Sequence, residues 1–216
     1  AVGGKLGSGK QEINAEGALV TPGWVDVHTH FDGQATWDPY LSPPTDHGVT
    51  SVVMGNCGVG FAPVKADRRD WLIRVMEGVE DIPGTVLAEG IRWEWETFPE
   101  YLDALARMPR ALDIGAQIPH SALRTYVMGE RGITHDEATP DDIRQMIAAV
   151  KEGLQAGALG FSTSRTFIHK YETRKCPPGT FATPDEILGI AKAIKEVGHG
   201  VFQMTSNHYQ METEFP

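Results

Sequence analysis

The 216-residue sequence has few cysteines, no run of basic residues and no long apolar segment. Its two cysteines, Cys57 and Cys176, are too few for a disulfide-stabilised secreted domain, and we expect both to remain thiols. No apolar stretch approaches the roughly 20 residues of a membrane-spanning helix. The Gly-rich residues 1–10 also lack the apolar segment of a signal peptide. We therefore expect a cytoplasmic protein that does not associate with membranes.

Positive charge is scarce as well. The 19 Lys and Arg residues are outnumbered by 29 Asp and Glu residues, which gives a formal net charge of −10. Nucleic acids and anionic membranes attract basic surfaces, so neither is expected as a partner. With 41% hydrophobic and 22% charged residues, the composition is that of an ordinary globular protein and excludes a disordered or coiled-coil chain.

Short apolar segments alternate with amphipathic helices along most of the chain. Strands are predicted at residues 24–30, 51–55, 111–118, 158–162 and 200–205. One helix is predicted over residues 71–78, and three others begin at Thr residues followed three positions later by a carboxylate: Thr97/Glu100, Thr139/Asp142 and Thr183/Glu186. The alternation predicts an α/β fold of about five parallel βα units, in which functional residues follow the carboxyl ends of the strands.

The clearest chemical signal is the segment Asp-Val-His-Thr-His at residues 26–30. Residues two apart in a strand point to the same side, about 6 to 7 Å apart at the backbone, so His28 and His30 can converge on one metal ion. Asp26 shares their face and could accept a hydrogen bond from a ligand imidazole. The alternative is two histidines at the rim of a strand whose nitrogens bond to neighbouring groups.

Cys57 lies 27 residues after His30, in the segment Gly-Asn-Cys-Gly (55–58) that follows the second predicted strand. A thiolate beside two imidazoles is a donor set that suits Zn²⁺. The flanking glycines allow the backbone to turn tightly around the thiol. The alternative for Cys57 is a buried thiol without a chemical role.

Four segments, 22–30, 55–58, 119–129 and 157–163, together resemble the N-acyl-D-amino-acid deacylase (D-aminoacylase) branch of the metal-dependent amidohydrolases. The resemblance extends in order from about residue 17 to about residue 205. It implies a (β/α)8 TIM-like barrel flanked by a small β-sandwich, so that residues 1–22 are a remnant of the sandwich or a linker and 23–216 a partial barrel. It also implies Zn²⁺ held by His28, His30 and Cys57, with the cysteine in a bridging place.

The activity that the resemblance implies is hydrolysis of the amide bond in small-molecule N-acyl amino acids of the D series. The family also has a ligand histidine after each of its fifth and sixth strands and a general-base aspartate after its eighth. Here His208 falls a few positions late for the fifth-strand ligand, and the aspartate is expected beyond the chain end, which leaves the catalytic base unassigned.

Two alternatives therefore stay open. The chain could be a truncated, catalytically incompetent fragment that needs the missing C-terminal half of the barrel or an oligomeric partner. It could also be a cyclic-amide hydrolase of the hydantoinase or dihydroorotase kind, although its fourth strand lacks the lysine that such relatives carry there.

Three other residues that follow the carboxyl ends of predicted strands have two interpretations each. His120 ends the third predicted strand and either contacts substrate or makes a structural hydrogen bond. Arg165 follows the fourth strand and either binds a substrate carboxylate through both guanidinium nitrogens or orders its loop. His208 is either a metal ligand or a surface loop residue. The remaining histidines, His169 among them, do not lie at a characteristic sequence spacing from another candidate ligand. No role is predicted for them.

Overall fold

The computed structural model describes residues 7–172 and 174–207. Its sheet has five parallel strands in the order of the chain, β1 (Trp24–Asp26), β2 (Val49–Met54), β3 (Asp113–Pro119), β4 (Gly160–Ser164) and β5 (Val201–Thr205). The strands curl into half of a barrel. The predicted α/β fold of about five βα units is thus confirmed, and all the carboxyl ends of the strands lie at one edge.

Helices follow the strands as expected. They are α1 (Arg69–Glu80), α2 (Gly84–Gly90), α3 (Phe98–Arg107), α4 (His120–Met128), α5 (Glu130–Ile133), α6 (Pro140–Gln155) and α7 (Pro184–Val197). No helix of the described residues is long and apolar enough to cross a membrane. Residues 7–23 form neither helix nor strand, and the division of the chain at residue 22 stays a prediction.

Two of the three predicted capping boxes are present in full. The Thr97 hydroxyl accepts from the Glu100 N–H at 3.3 Å, and the Thr97 N–H donates to the Glu100 carboxylate at 2.9 Å. Thr139 and Asp142 form the same reciprocal pair. At α7 the Thr183 hydroxyl still accepts from the Glu186 N–H, but the Glu186 carboxylate turns into the interior instead of returning to the backbone. It does so because buried cationic and imidazole groups bind it there.

The core lies between the sheet and the helices. One face of α6 packs inward, since Met146, Val150 and Leu154 recur at helical spacing and are fully buried. Side chains of the inner strands, such as Met54 and Ile118, complete the same core. Burial of this continuous apolar surface is the main term that stabilises the half-barrel.

The first strand is shorter than the predicted 24–30. The Asp26 carboxylate accepts a hydrogen bond from the His28 N–H at 3.1 Å, which takes that donor out of the sheet ladder. His28 and His30 consequently lie just beyond the carboxyl end of β1. The outer strands β1 and β5 carry exposed apolar side chains, among them Val25 at 59% and Val201 at 61% exposure.

Candidate metal centre

The three predicted ligands meet at the carboxyl ends of β1 and β2. The His28 Nε2 atom lies 3.1 Å from the Cys57 Sγ atom, and the ring centroids of His28 and His30 are 5.5 Å apart. One donor atom from each of the three residues lies within 4.8 Å of the other two. Three side chains separated by up to 29 positions thus converge on a volume that suits a single cation.

The loop that carries Cys57 depends on glycine. Cys57 itself has a left-handed backbone, with φ of 55°, between Gly55 at 77° and Gly58 at 71°. A Cβ atom at Gly55 would lie 2.2 Å from the Gln117 carbonyl oxygen of the neighbouring strand. A side chain at position 55 would therefore displace the loop, which explains the glycine that precedes Asn56 and the thiol.

Hydrogen bonds fix this loop from several strands. The Asn56 side-chain amide donates to the carbonyl oxygens of Thr29 and Val53 at 3.1 and 2.9 Å. Gln117 in turn donates to Asn56 at 2.8 Å, and the Gly58 N–H donates to the Ser162 hydroxyl at 3.0 Å. The thiol is consequently held in place before any ligand binds, as a preorganised site requires.

The fifth strand also reaches Cys57, with an amide and a hydroxyl. The Cys57 N–H donates to the Gln203 side-chain carbonyl at 3.2 Å, and the Thr205 hydroxyl lies 3.5 Å from Sγ. Within the described part of the chain, this strand brings no imidazole to the site. His208, the predicted late substitute, lies outside the described residues.

Two groups that sequence reasoning missed complete the surroundings of the thiol. The Glu80 carboxylate lies 3.3 Å from His30 Nε2. Donor atoms of Cys57, Glu80 and His169 also lie within 4.8 Å of one another. Glu80 ends a helix and His169 lies in the loop after β4, so no sequence spacing links them. The position of His169 after a strand was the one available signal.

These residues fit a metal ion. The buried Nδ1 atom of His30 has no hydrogen-bond partner, which is costly unless a ligand satisfies it. Burial, followed by the proximity of His28 and His169, lowers the pKa of His30 to about 4, so its imidazole is neutral at pH 7. Neutral imidazole is the form that binds metals. Thiol and imidazole donors together are typical of zinc sites.

The Cys57 thiol is protonated in this environment. Burial raises the pKa of Cys57, and the nearby carboxylates of Glu80 and Asp32 raise it further against the opposing hydrogen bond from Thr205. A cation bound at the sulfur reverses that preference, because a coordinated thiol loses its proton. Metal affinity at this centre is therefore coupled to proton release.

Two aspartates near the histidines differ from expectation. Asp26 accepts from the main-chain N–H of His28 instead of from a ligand imidazole. Asp32, for which no role is predicted from the sequence, is only 2% exposed, and its Oδ2 atom has no hydrogen-bond partner. Burial raises the pKa of Asp32 to about 7. Tyr101 fixes the backbone there by donating to the Asp32 carbonyl at 2.8 Å.

His120 makes buried hydrogen bonds to protein groups through both ring nitrogens. It is fully buried at the start of α4, with its Nδ1 atom 2.8 Å from the Thr163 hydroxyl and its Nε2 atom 2.7 Å from the Glu186 carboxylate. Arg124 binds the other oxygen of Glu186 and donates to the Asp136 carbonyl at 2.7 Å. Both imidazole nitrogens are thus occupied by protein groups, which leaves none for a substrate.

The pKa values of His120 and Glu186 depend on burial and on the charged neighbours in this cluster. Burial lowers the pKa of His120, although the Glu186 carboxylate partly offsets this effect. Burial alone would raise the pKa of Glu186, but the hydrogen bonds and charges of His120 and Arg124 lower it on balance. We therefore describe the cluster as a carboxylate–guanidinium pair with a hydrogen-bonded imidazole.

Arg165 orders its own loop. Its guanidinium Nη1 atom donates to the Ala182 carbonyl at 2.7 Å and approaches the Gly179 carbonyl at 3.4 Å. These contacts join the end of β4 to the segment before α7. Such contacts are what loop ordering requires, and the choice between the two predicted roles of Arg165 stays a prediction.

Comparison with known proteins identifies a matching family and several similar proteins. A model described as the amidohydrolase family matches residues 11–212. The N-acyl-D-aspartate deacylase of Alcaligenes xylosoxydans xylosoxydans is 34% identical over 183 residues, which are 85% of this chain and 32% of that protein.

Two solved structures are also similar. A crystal structure of D-aminoacylase has a TM-score of 0.63 and 31% identity, covering 84% of this chain and 33% of that one. The N-acyl-D-glutamate deacylase of Bordetella bronchiseptica, complexed with zinc and a phosphonate inhibitor, has a TM-score of 0.60 and 26% identity over 85% of this chain and 33% of that one. The chain spans about a third of the length of the curated relatives it matches. Because the family model matches most of its residues, the chain belongs to the amidohydrolase family.

Proposed function

We propose that this chain carries the metal-binding part of an amidohydrolase that cleaves the amide bond of N-acyl amino acids of the D series. The observation that carries the proposal is the convergence of His28, His30 and Cys57 within 4.8 Å at the carboxyl ends of β1 and β2. The substrate class follows from relatives named as deacylases of N-acyl-D-aspartate and N-acyl-D-glutamate.

Zn²⁺ is the cation that the donor set favours, and it supplies Lewis-acid polarisation of the scissile carbonyl and activation of water. The residues of the chain set the geometry for this chemistry. The Gly-rich loop fixes the Cys57 sulfur, and the half-buried His30 ring presents a nitrogen that no protein group satisfies. His28 is exposed, so the proposed centre is open to solvent on that side.

The experiment is an enantiomer-resolved assay of amide hydrolysis. The purified chain is stripped of metal, reloaded with Zn²⁺ and incubated with N-acetyl-D-glutamate, N-acetyl-D-leucine and their L enantiomers, and released amino acid is quantified. We expect zinc-dependent release from the D substrates. Cys57→Ala should abolish it, whereas Cys176→Ala, which removes the other buried thiol, should not.

Two results would overturn the proposal. Absence of hydrolysis by the folded, zinc-loaded chain would favour the alternative of a metal-binding chain that is not an enzyme by itself. Hydrolysis of a hydantoin or dihydroorotate instead of the N-acyl substrates would favour a cyclic-amide hydrolase. The latter is disfavoured because β4, Gly160–Ser164, contains no lysine.

We also propose that the outer strands are covered in the working protein, by further barrel strands or by a second copy. The support is the exposed apolar surface on β1 and β5, including Trp24 at 62% and Val201 at 61% exposure. Light scattering after size exclusion tests this, since a monodisperse monomer of the chain would contradict it. The free thiols of Cys57 and Cys176 support a reducing, cytoplasmic location.

A further inference from the structure

One buried serine of β4 contacts the Cys57 loop on both sides of the thiol. The Ser162 hydroxyl accepts a hydrogen bond from the Gly58 N–H at 3.0 Å and donates to the Gly55 carbonyl oxygen. These two glycines flank the segment that carries the thiol, so a single hydroxyl joins its two ends. Ser162 is fully buried, and water therefore cannot replace either bond when the hydroxyl is lost.

Serine suits this position because of its size and its hydrogen-bonding capacity. A hydroxyl supplies one donor and two acceptor sites on a short side chain. The loop lies directly against the backbone of β4, since a Cβ atom at Gly58 would come within 3.0 Å of the Thr163 Cα atom. Alanine at position 162 would remove both hydrogen bonds while leaving the strand itself in place.

A second serine holds the same loop from the helix layer. At the start of α4, the Ser121 N–H and hydroxyl both donate to the Gly58 carbonyl oxygen, at 2.9 and 2.5 Å. If the Ser121 hydroxyl is removed, its N–H still binds that carbonyl. If the Ser162 hydroxyl is removed, the Gly58 N–H loses this acceptor altogether. The hydroxyl of Ser162 is therefore expected to contribute more to the loop than that of Ser121.

The side of β4 that carries Ser162 faces the candidate metal centre. Ser162 and Ser164 are two residues apart and share that side of the strand. The Ser164 hydroxyl lies 2.9 Å from the Nδ1 atom of His169, which has a donor atom within 4.8 Å of the Cys57 sulfur. The polar side chains of Gly160–Ser164 are all hydroxyls, so β4 supports the centre through hydrogen bonds.

We propose that Ser162 is a positioning residue, which holds the Cys57 sulfur within reach of His28 through the backbone of residues 55–58. The inference rests on the proposed function, because the sulfur is one of the proposed ligands. With the loop in this position, the His28 Nε2 atom lies 3.1 Å from Sγ. Without the hydroxyl the loop gains conformational freedom, and ordering it again around a cation weakens binding.

Thiol labelling of the metal-free chain tests the positioning role in the absence of any cation. The chain is reacted with iodoacetamide beside a chelator, and mass spectrometry of its peptides gives separate rates for the buried thiols Cys57 and Cys176. We expect Ser162→Ala to raise the rate at Cys57 about tenfold, because buried hydrogen bonds are lost. The rate at Cys176 should stay unchanged, and Ser121→Ala should raise the Cys57 rate less.

Thr180→Val provides a matched control for the loss of a buried hydroxyl. The Thr180 hydroxyl donates to the Pro177 carbonyl at 2.8 Å, and the residue is 2% exposed. It does not contact the loop of residues 55–58 in the described part of the chain. This variant should leave the labelling rate of Cys57 unchanged.

Metal binding tests the consequence for the centre. Competition with a chromophoric chelator measures the affinity for Zn²⁺, and the absorption of bound Co²⁺ reports ligation by the thiolate. We expect Ser162→Ala to lower the zinc affinity about 10- to 100-fold. It should also weaken the thiolate band at saturating Co²⁺, which a loss of global stability would not do. Thr180→Val should change neither quantity.

The outcomes separate this inference from the proposed function. The positioning role is overturned if Ser162→Ala leaves the Cys57 rate unchanged, raises both cysteine rates equally, or raises the Cys57 rate no more than Thr180→Val does. An unchanged zinc affinity in Ser162→Ala also overturns it. If the unmodified chain binds zinc but hydrolyses no N-acyl substrate, the proposed function fails and the positioning role stands. If the chain binds no zinc, both fail.

Discussion

Two histidine clusters lie at the same edge of the half-barrel and differ in how their polar atoms are satisfied. In the His120 cluster, both imidazole nitrogens and both Glu186 oxygens contact protein groups, and the histidine and glutamate are fully buried. In the Cys57 cluster, the donor atoms face one another, and the buried Nδ1 of His30 has no partner.

This difference separates a histidine with a structural role from one that we propose as a metal ligand. His120 ties α4, β4 and α7 together, so its role is complete without a ligand. The Cys57 cluster groups imidazoles and a carboxylate around a thiol and leaves the buried Nδ1 atom of His30 without a partner, an arrangement that a cation would complete. The imidazole nitrogens distinguish the two clusters, because both nitrogens of His120 have protein partners whereas the buried Nδ1 atom of His30 has none.

The largest expected effect is the loss of the Glu186 carboxylate in the His120 cluster. Glu186→Gln leaves Arg124 buried without its counter-charge, and we expect the free energy of unfolding to fall by about 3–5 kcal/mol. Urea denaturation of the metal-free chain measures this. The exposed pair Lys151–Glu196 provides the control, since Glu196→Gln should lower the free energy of unfolding far less. Equal losses in the two variants would contradict the comparison.

The Cys57 cluster should respond to substitution in the opposite way. Cys57→Ser is expected to leave the stability of the metal-free chain nearly unchanged but to remove its stabilisation by zinc. That stabilisation is about 2.7 kcal/mol when free zinc is 100 times the dissociation constant. Unfolding curves with and without Zn²⁺ measure both quantities. Cys176→Ser should keep the zinc effect, and its loss in that variant would argue against a site at Cys57.

A third test probes how tightly the His120 cluster is packed. Gly179 has φ of 97°, and a Cβ atom there would lie 2.4 Å from His120 Nδ1. We expect Gly179→Ala to cost about 2–3 kcal/mol, from backbone strain together with the clash. Gly198 has a similar φ of 89° with nothing within 4 Å, so Gly198→Ala should cost only about 1 kcal/mol. Equal costs by urea denaturation would show that His120 can move.

The smallest effect concerns a satisfied carboxylate near the surface. Asp142 accepts hydrogen bonds from Arg131 at 2.6 Å and from Thr139, and its pKa is lowered to about 2, chiefly by Arg131. Its stabilisation is therefore complete above about pH 4, the ordinary value for aspartate, and is lost as the pH falls toward 2. Asp142→Asn should cost about 1 kcal/mol at pH 7.

The pH series provides the check on this last prediction. Unfolding free energies measured from pH 7 down to about pH 2.5 should converge for the unmodified chain and Asp142→Asn as the acid limit is approached. If the free energies of unfolding of the two proteins stay parallel over that range, the ion pair between Arg131 and Asp142 does not contribute to stability.

Several features of the fold could be predicted from local patterns. The Thr-x-x-Glu/Asp signals place the starts of α3 and α6, because capping depends only on residues within one turn. Five strands are recognised from short apolar runs. The predicted end of β1 at residue 30 was wrong, because the Asp26 side chain accepts the hydrogen bond from the His28 N–H. The strand pattern in the sequence does not show that a side chain competes with the sheet for this donor.

The candidate site could be predicted only where its residues are close in sequence or embedded in a motif. His28 and His30 share a strand, and Cys57 has a Gly-rich context. Glu80 and His169 have neither signal, because their approach to Cys57 depends on the path of α1 and of the loop after β4. Asp32 was likewise left aside, although the folded chain buries its carboxyl group.

The sequence by itself determined the βα alternation, the capped helices and the His-x-His and Gly-Asn-Cys-Gly elements of the proposed metal centre. Tertiary structure alone decided which histidines remain available to a ligand. His120 and His30 both lie near strand ends, but one meets a carboxylate and a hydroxyl and the other a thiol and a second imidazole. Hydrogen-bond satisfaction arises from contacts between distant segments, so it exists only once the half-barrel has folded.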